Sequence, residues 1–120
     1  SWNDAVAMRA ALTSIELCGN ESVAKSVLEK GNYFCEALER LASEFDFQLQ
    51  MTGPASMPYP WFEGDEDLFQ IQKFCQAASA QGLFFHPHHN WFISNAHDKG
   101  TLDNALSLAQ HSFEEMKNEL

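Results

Sequence analysis

Gly82-Leu-Phe-Phe-His-Pro-His-His-Asn-Trp-Phe-Ile-Ser-Asn-Ala-His97 sets two short apolar runs around a polar knot. Leu83 to Phe85 and Trp91 to Ser94 read as two short strands. Between them lie His86, Pro87, His88, His89 and Asn90. Ala96-His97-Asp98 then leads into a helix, with Asp98 or Thr101 as its cap. Leu102, Leu106, Ala109, Phe113, Met116 and Leu120 follow at steps of four and three, the cleanest helical stripe in the chain. That stripe is expected to pack over the sheet that carries Phe85 and Phe92.

Upstream of this stretch the pattern alternates between helix and strand. Ala5, Met8, Leu12 and Ile15 recur at helical spacing, with Gly19 as a stop and Asn20 as the next start. Val23, Val27, Phe34, Leu38, Leu41 and Phe45 line a second helix. Gly31 lies on its apolar side, which predicts close approach to a neighbouring helix. Phe47, Leu49 and Met51 alternate with polar residues as a half-buried strand that Gly53-Pro54 ends. Ala55 to Phe62 is extended but holds Pro58 and Pro60, so it is an edge strand or an irregular one. Glu63 to Asp67 supplies carboxylates to the start of a third helix, lined by Leu68, Ile71, Cys75 and Ala78 and closed by Gly82.

The resulting order is helix, helix, strand, strand, helix, strand, strand, helix. It predicts an α+β fold: a small, mostly antiparallel sheet with helices packed on one face. Residues 1–120 form one domain, long enough to build a core without disulfides or metal.

A formal charge of −10, from 17 acidic and 7 basic residues, argues against nucleic acid and against an anionic membrane surface. No apolar run approaches the ~18 residues of a membrane span. Cys18, Cys35 and Cys75 are odd in number and widely spaced, so they read as small buried thiols in a reducing, cytoplasmic setting.

The histidine cluster is the first candidate for chemistry. His86 and His88 would share one face of an extended chain and His89 the other, whereas a catalytic zinc site wants about three converging ligands. No metal site is therefore expected, although a His-cluster metal-binding protein is one alternative reading. Neither a nucleophile elbow nor a glycine-rich phosphate loop occurs. Paired carboxylates such as Asp65 and Asp67 read as solvated charge.

Three segments together resemble a known family. Asn3-Asp-Ala-Val-Ala-Met-Arg-Ala-Ala-Leu12 is similar to a Glu-Pro-Leu-Ala-Leu-Ala-Ala-Ala-Leu helix, with Asp4 at the Glu position and Ala5 in place of proline. Gly53-Pro-Ala-Ser-Met57 is similar to a Gly-Ser-Met strand segment. Gly82 to His97 fits a framework of Gly, His-Pro and Ser-x-Ala-His. In order and spacing they resemble the C-terminal small domain of class III pyridoxal-phosphate aminotransferases, glutamate-1-semialdehyde aminomutase-like proteins in particular.

The resemblance implies a parent enzyme that binds pyridoxal phosphate through a lysine of a large domain. That domain is absent from these residues and would be this chain's partner, with a homo-oligomer also compatible. Lys25, Lys30, Lys73, Lys99 and Lys117 all stand outside the family's Schiff-base context. No residue here is thus expected to be catalytic or to hold the cofactor, and the chain alone is expected to be inactive. The loop between Pro87 and Phe92 lacks the aminomutases' Ser-x-Phe-Glu segment, so another aminotransferase specificity is compatible. Ser56, Met57, His86, His88, His89 and Asn90 are the positions expected to face substrate in the parent. A free-standing interaction or oligomerisation module with the same fold is the other alternative.

Overall fold

The computed structural model describes residues 4–20 and 22–119. Asn3 of the first matching segment and Leu120 of the last stripe lie outside the described residues. Six elements follow in order: α1 (Ala5–Asn20), α2 (Val23–Glu44), β1 (Leu49–Thr52), β2 (Tyr59–Phe62), α3 (Phe69–Ala80) and α4 (Lys99–Asn118). The architecture is α+β, as the patterning predicts.

The sheet is an antiparallel hairpin in which Leu49 faces Phe62 and Thr52 faces Tyr59. The expected strands at Leu83–Phe85 and Trp91–Ser94 are not formed. Trp91 N–H donates to Pro58 O at 2.8 Å and Ile93 N–H to Ser56 O at 3.0 Å, so the later segment runs antiparallel along the hairpin's approach. Pro58 has no N–H to return the bond, and the ladder cannot close. Leu83 is tied back to Ala78 O through its N–H, and Phe85 is held through its ring. Phe85 lies 6.3 Å from Phe34 of α2 and 6.0 Å from Phe74 of α3, ring to ring.

Helix ends follow local chemistry. Asp46, at φ 64°, closes α2, with Phe47 N–H donating back to Ala42 O at 3.0 Å. Gly82, at φ 87°, closes α3: its N–H meets Ser79 O and Leu83 N–H meets Ala78 O. This paired bonding needs a left-handed residue, which glycine adopts without penalty. Asp65 departs from the expected solvated carboxylate. It is buried, and its two oxygens accept from Gln70 N–H and Ile71 N–H at 2.9 Å each, satisfying the first turn of α3. Asn20 ends α1 rather than starting α2, which begins after a left-handed Ser22.

Of the two candidate caps, Asp98 holds α4, accepting Thr101 N–H at 2.7 Å. That bond keeps the Asp98 carboxyl below its ordinary value of 3.8. On Asp103 the Lys99 ammonium does the same, aided by the Tyr33 hydroxyl. A lowered folded-state value means the contribution is complete above pH ~4 and is lost as pH falls through the lowered values. Denaturant midpoints taken from pH 6 down to pH 2.5 should therefore hold to about pH 4 and then fall. In Asp98→Asn the fall should be shallower.

The core joins α2, α3, α4 and the hairpin through Phe34, Leu38, Phe47, Phe62, Phe74 and Phe113. The α4 stripe packs against α2 and α3 rather than over a sheet bearing Phe85 and Phe92. Phe92 is exposed. Gly31 faces not a helix but the backbone of Ala55, in the turn before β2. The α1 stripe is exposed along its length.

Of the three thiols, Cys35 and Cys75 are buried as expected, and Cys18 is exposed. Burial, with the nearby charges of Glu39 and Glu36, pushes Cys35 up to about 11. Burial alone pushes Cys75 up to about 12. A thiol reagent at pH 8 should label Cys18 in the native chain and reach the other two only on unfolding. Rapid native labelling of Cys75 would contradict this packing.

Candidate functional site

The fold brings the six sequence-predicted positions to one edge. Ser56 and Met57 sit in the turn before β2, where Met57 N–H donates to Pro54 O at 2.9 Å. Gly31 lets this turn lie directly on α2. The segment from His86 to Ile93 then binds the same turn: Asn90 Nδ2 donates to Met57 O at 3.1 Å and Ile93 N–H to Ser56 O at 3.0 Å. Residues some thirty positions apart in sequence are thereby fixed side by side.

Trp91 anchors the loop. Its ring is buried and stacks on Phe85 with centroids 3.8 Å apart, and its Nε1–H donates to His86 O at 2.9 Å. The three imidazoles stand outside this anchor, exposed, with His86 6.3 Å from His88 and 6.0 Å from His89 between ring centres. Among the described residues no three His, Cys, Asp or Glu side chains are grouped to hold a metal ion.

Local hydrogen bonds set the ring nitrogens. His86 Nδ1 accepts His88 N–H at 3.1 Å, so the neutral ring carries its proton on Nε2. His89 Nδ1 meets Asn90 O at 2.9 Å. A carbonyl only accepts, so there Nδ1 carries the proton and Nε2 is free to accept. The loop therefore offers one imidazole donor, one imidazole acceptor and the amide oxygen of Asn90.

Beside it runs an open cleft of about 510 Å³, lined by Phe34, Phe84, Phe92, Leu102, His86 and His97 among others. That volume is in the range of small-molecule sites. Phe84 and Phe92 line it while remaining 81% and 59% exposed. The sequence pattern placed both in short strands. The available signal was their position beside Phe85 and Trp91, whose side chains take the core. His97 was also missed as a lining residue; its Nδ1 accepts Ser94 N–H at 3.0 Å and so fixes the bend into α4.

Three of the five lysines are engaged elsewhere. Lys30 Nζ donates to Asn95 O at 2.8 Å, Lys99 pairs with Asp103 at 2.7 Å, and Lys117 with Asp46 at 3.1 Å. The described residues thus bring no lysine and no phosphate cradle to the His86–Asn90 loop. They do not by themselves fit pyridoxal phosphate.

No family model matches the chain. It is similar to an aminopentol aminotransferase of Sphingopyxis macrogoltabida, 28% identical over 112 residues, 93% of this chain and 26% of that protein. It is similar also to the glutamate-1-semialdehyde 2,1-aminomutase of Methanothermobacter thermautotrophicus, 29% identical over 74% of this chain and 24% of that one. Among solved structures, the pyridoxal-phosphate internal aldimine form of the FumI protein of Sphingopyxis sp. MTA144 superposes with a TM-score of 0.94 at 26% identity. It covers 98% of this chain and 28% of that one. The chain spans about a quarter of the length of the curated relatives it matches. It is a homologue of pyridoxal-phosphate-dependent aminotransferases and aminomutases, with the fold of one portion of such an enzyme.

Proposed function

We propose that these residues are the small domain of a pyridoxal-phosphate-dependent aminotransferase, inactive by themselves, whose cofactor and Schiff-base lysine belong to a large domain of the same enzyme. The observation that carries this reading is the superposition on FumI over 98% of the chain at a TM-score of 0.94. The cofactor supplies the electron sink for moving an amino group. This chain supplies shape and polar contacts. Ser56, Met57, His86, His88, His89 and Asn90 form the edge that faces substrate. Asn90, held on Met57 O, presents its amide oxygen, and His89 presents Nε2 as an acceptor. The open aromatic cleft beside them offers an apolar wall to that edge. The three unpaired thiols fit a reducing, cytoplasmic setting.

The test is amino transfer from an aminopentol, the amine in the name of one relative, to a 2-oxo acid by the full-length natural protein. Asn90→Ala and His89→Ala should each raise KM for the amine, on the order of tenfold for one lost hydrogen bond. The 120-residue chain should show no turnover. No amino transfer by the full-length protein would remove the enzymatic reading. Unchanged KM in both variants would remove the substrate-facing role of this edge.

A further inference from the structure

The clearest unexplained feature is α1. All 16 of its residues are exposed, with Val6 at 80% and Ile15 at 68%. Among the elements it touches α2 alone. At 3.6 residues per turn, Met8, Ala11, Leu12 and Ile15 fall on one side of the helix. Val6, Ala10 and Leu17 fall on the opposite side. A helix apolar on opposite faces is one that other chain surrounds. The body's extents of 53 × 30 × 24 Å and radius of gyration of 16.7 Å, against about 14 Å for a compact domain of this length, fit an arm standing off a core.

We propose that both apolar faces of α1 are a docking surface for the large domain of the same enzyme. The inference rests on the parent enzyme proposed above. The occupant is argued from the FumI match. At 98% of this chain, the superposition leaves no room to omit a helix of 16 residues. The arm therefore keeps its pose inside a chain of which these residues match only 28%. A helix of this length is marginal in water without packing. The remaining chain of such an enzyme is what can hold it there. A second copy of this chain would leave the pose inside the longer protein unexplained.

Hydrogen exchange at the α1 amides, measured in the 120-residue chain and in the full-length natural protein, tests this. Exchange should be slower in the full-length protein by about 100-fold or more, as local opening becomes tied to undocking. Equal rates would overturn the proposal. So would protection in the 120-residue chain that grows with protein concentration, which would assign the faces to a second copy. As an independent readout, Val6→Ser combined with Ile15→Ser should leave the thermal midpoint of the 120-residue chain in place. It should lower that of the full-length protein by several degrees, and no such loss would overturn the docking. A natural protein of only 13.5 kDa would end the parent reading and this inference together. A larger natural protein with equal exchange rates would end this inference alone.

Discussion

Phe113→Ala is expected to destabilise the chain by about 3–5 kcal/mol, the usual result of truncating a fully buried phenylalanine. Phe113 has no exposed surface and stacks on Phe74 at 4.6 Å and on Phe47 at 5.7 Å. Those two rings belong to α3 and to the entry into β1. One side chain of α4 thus ties helix, helix and hairpin together. Small domains hold only ~5–15 kcal/mol in all, so much of the stability should go. Glu114, the next residue, shares a 3.4 Å contact with Gln110 on the outer side of α4. Glu114→Ala should change stability by less than ~0.5 kcal/mol. Urea midpoints of the two variants check this, and equal small shifts would show that α4 is not docked as described.

Gly31→Ala should be the second large loss, although it replaces glycine in a helix interior. A Cβ there would lie 2.0 Å from Ala55 O and 2.5 Å from Ala55 C. Both are backbone atoms, so the turn at residues 54–57 must move. Overpacking costs typically ~1–3 kcal/mol and sometimes more. The gain in helix propensity, at most ~1 kcal/mol, cannot offset a clash this close. We expect a net loss of about 2 kcal/mol. Gly19→Ala is the control: nothing lies within 4 Å of its added Cβ, so it should be neutral or slightly stabilising. Displacing the turn also shifts Ser56 and Met57, so in the parent enzyme Gly31→Ala should impair substrate binding as well as stability. Equal midpoints for the two glycine variants would contradict the observed contact.

The parts of this fold that were legible are those whose signal is local. The α4 stripe, the Asp98 cap, the Gly82 stop and the β1 alternation each depend on a few neighbouring residues. What was misread depends on partners distant in sequence. Trp91 to Ser94 has strand-like composition, but whether a ladder closes is decided by Pro58, which offers no N–H. Asp65 looks like solvated charge until α3 folds back to put Gln70 and Ile71 on its oxygens. Gly31 signalled a close approach, but not that the neighbour was a turn of the hairpin. The meeting of Asn90 with Met57 was not readable from spacing at all; Ser56 and Met57 entered through the family resemblance. The exposed α1 has helical periodicity and no visible reason in these residues to be apolar on both sides.

The central claim is that the cofactor-binding lysine lies outside these 120 residues. The direct measurement is borohydride reduction of the natural full-length protein with pyridoxal phosphate bound, followed by mapping of the modified peptide. The label should fall on one lysine in the remainder of the chain. A single stoichiometric label on Lys25, Lys30, Lys73, Lys99 or Lys117 would contradict the account.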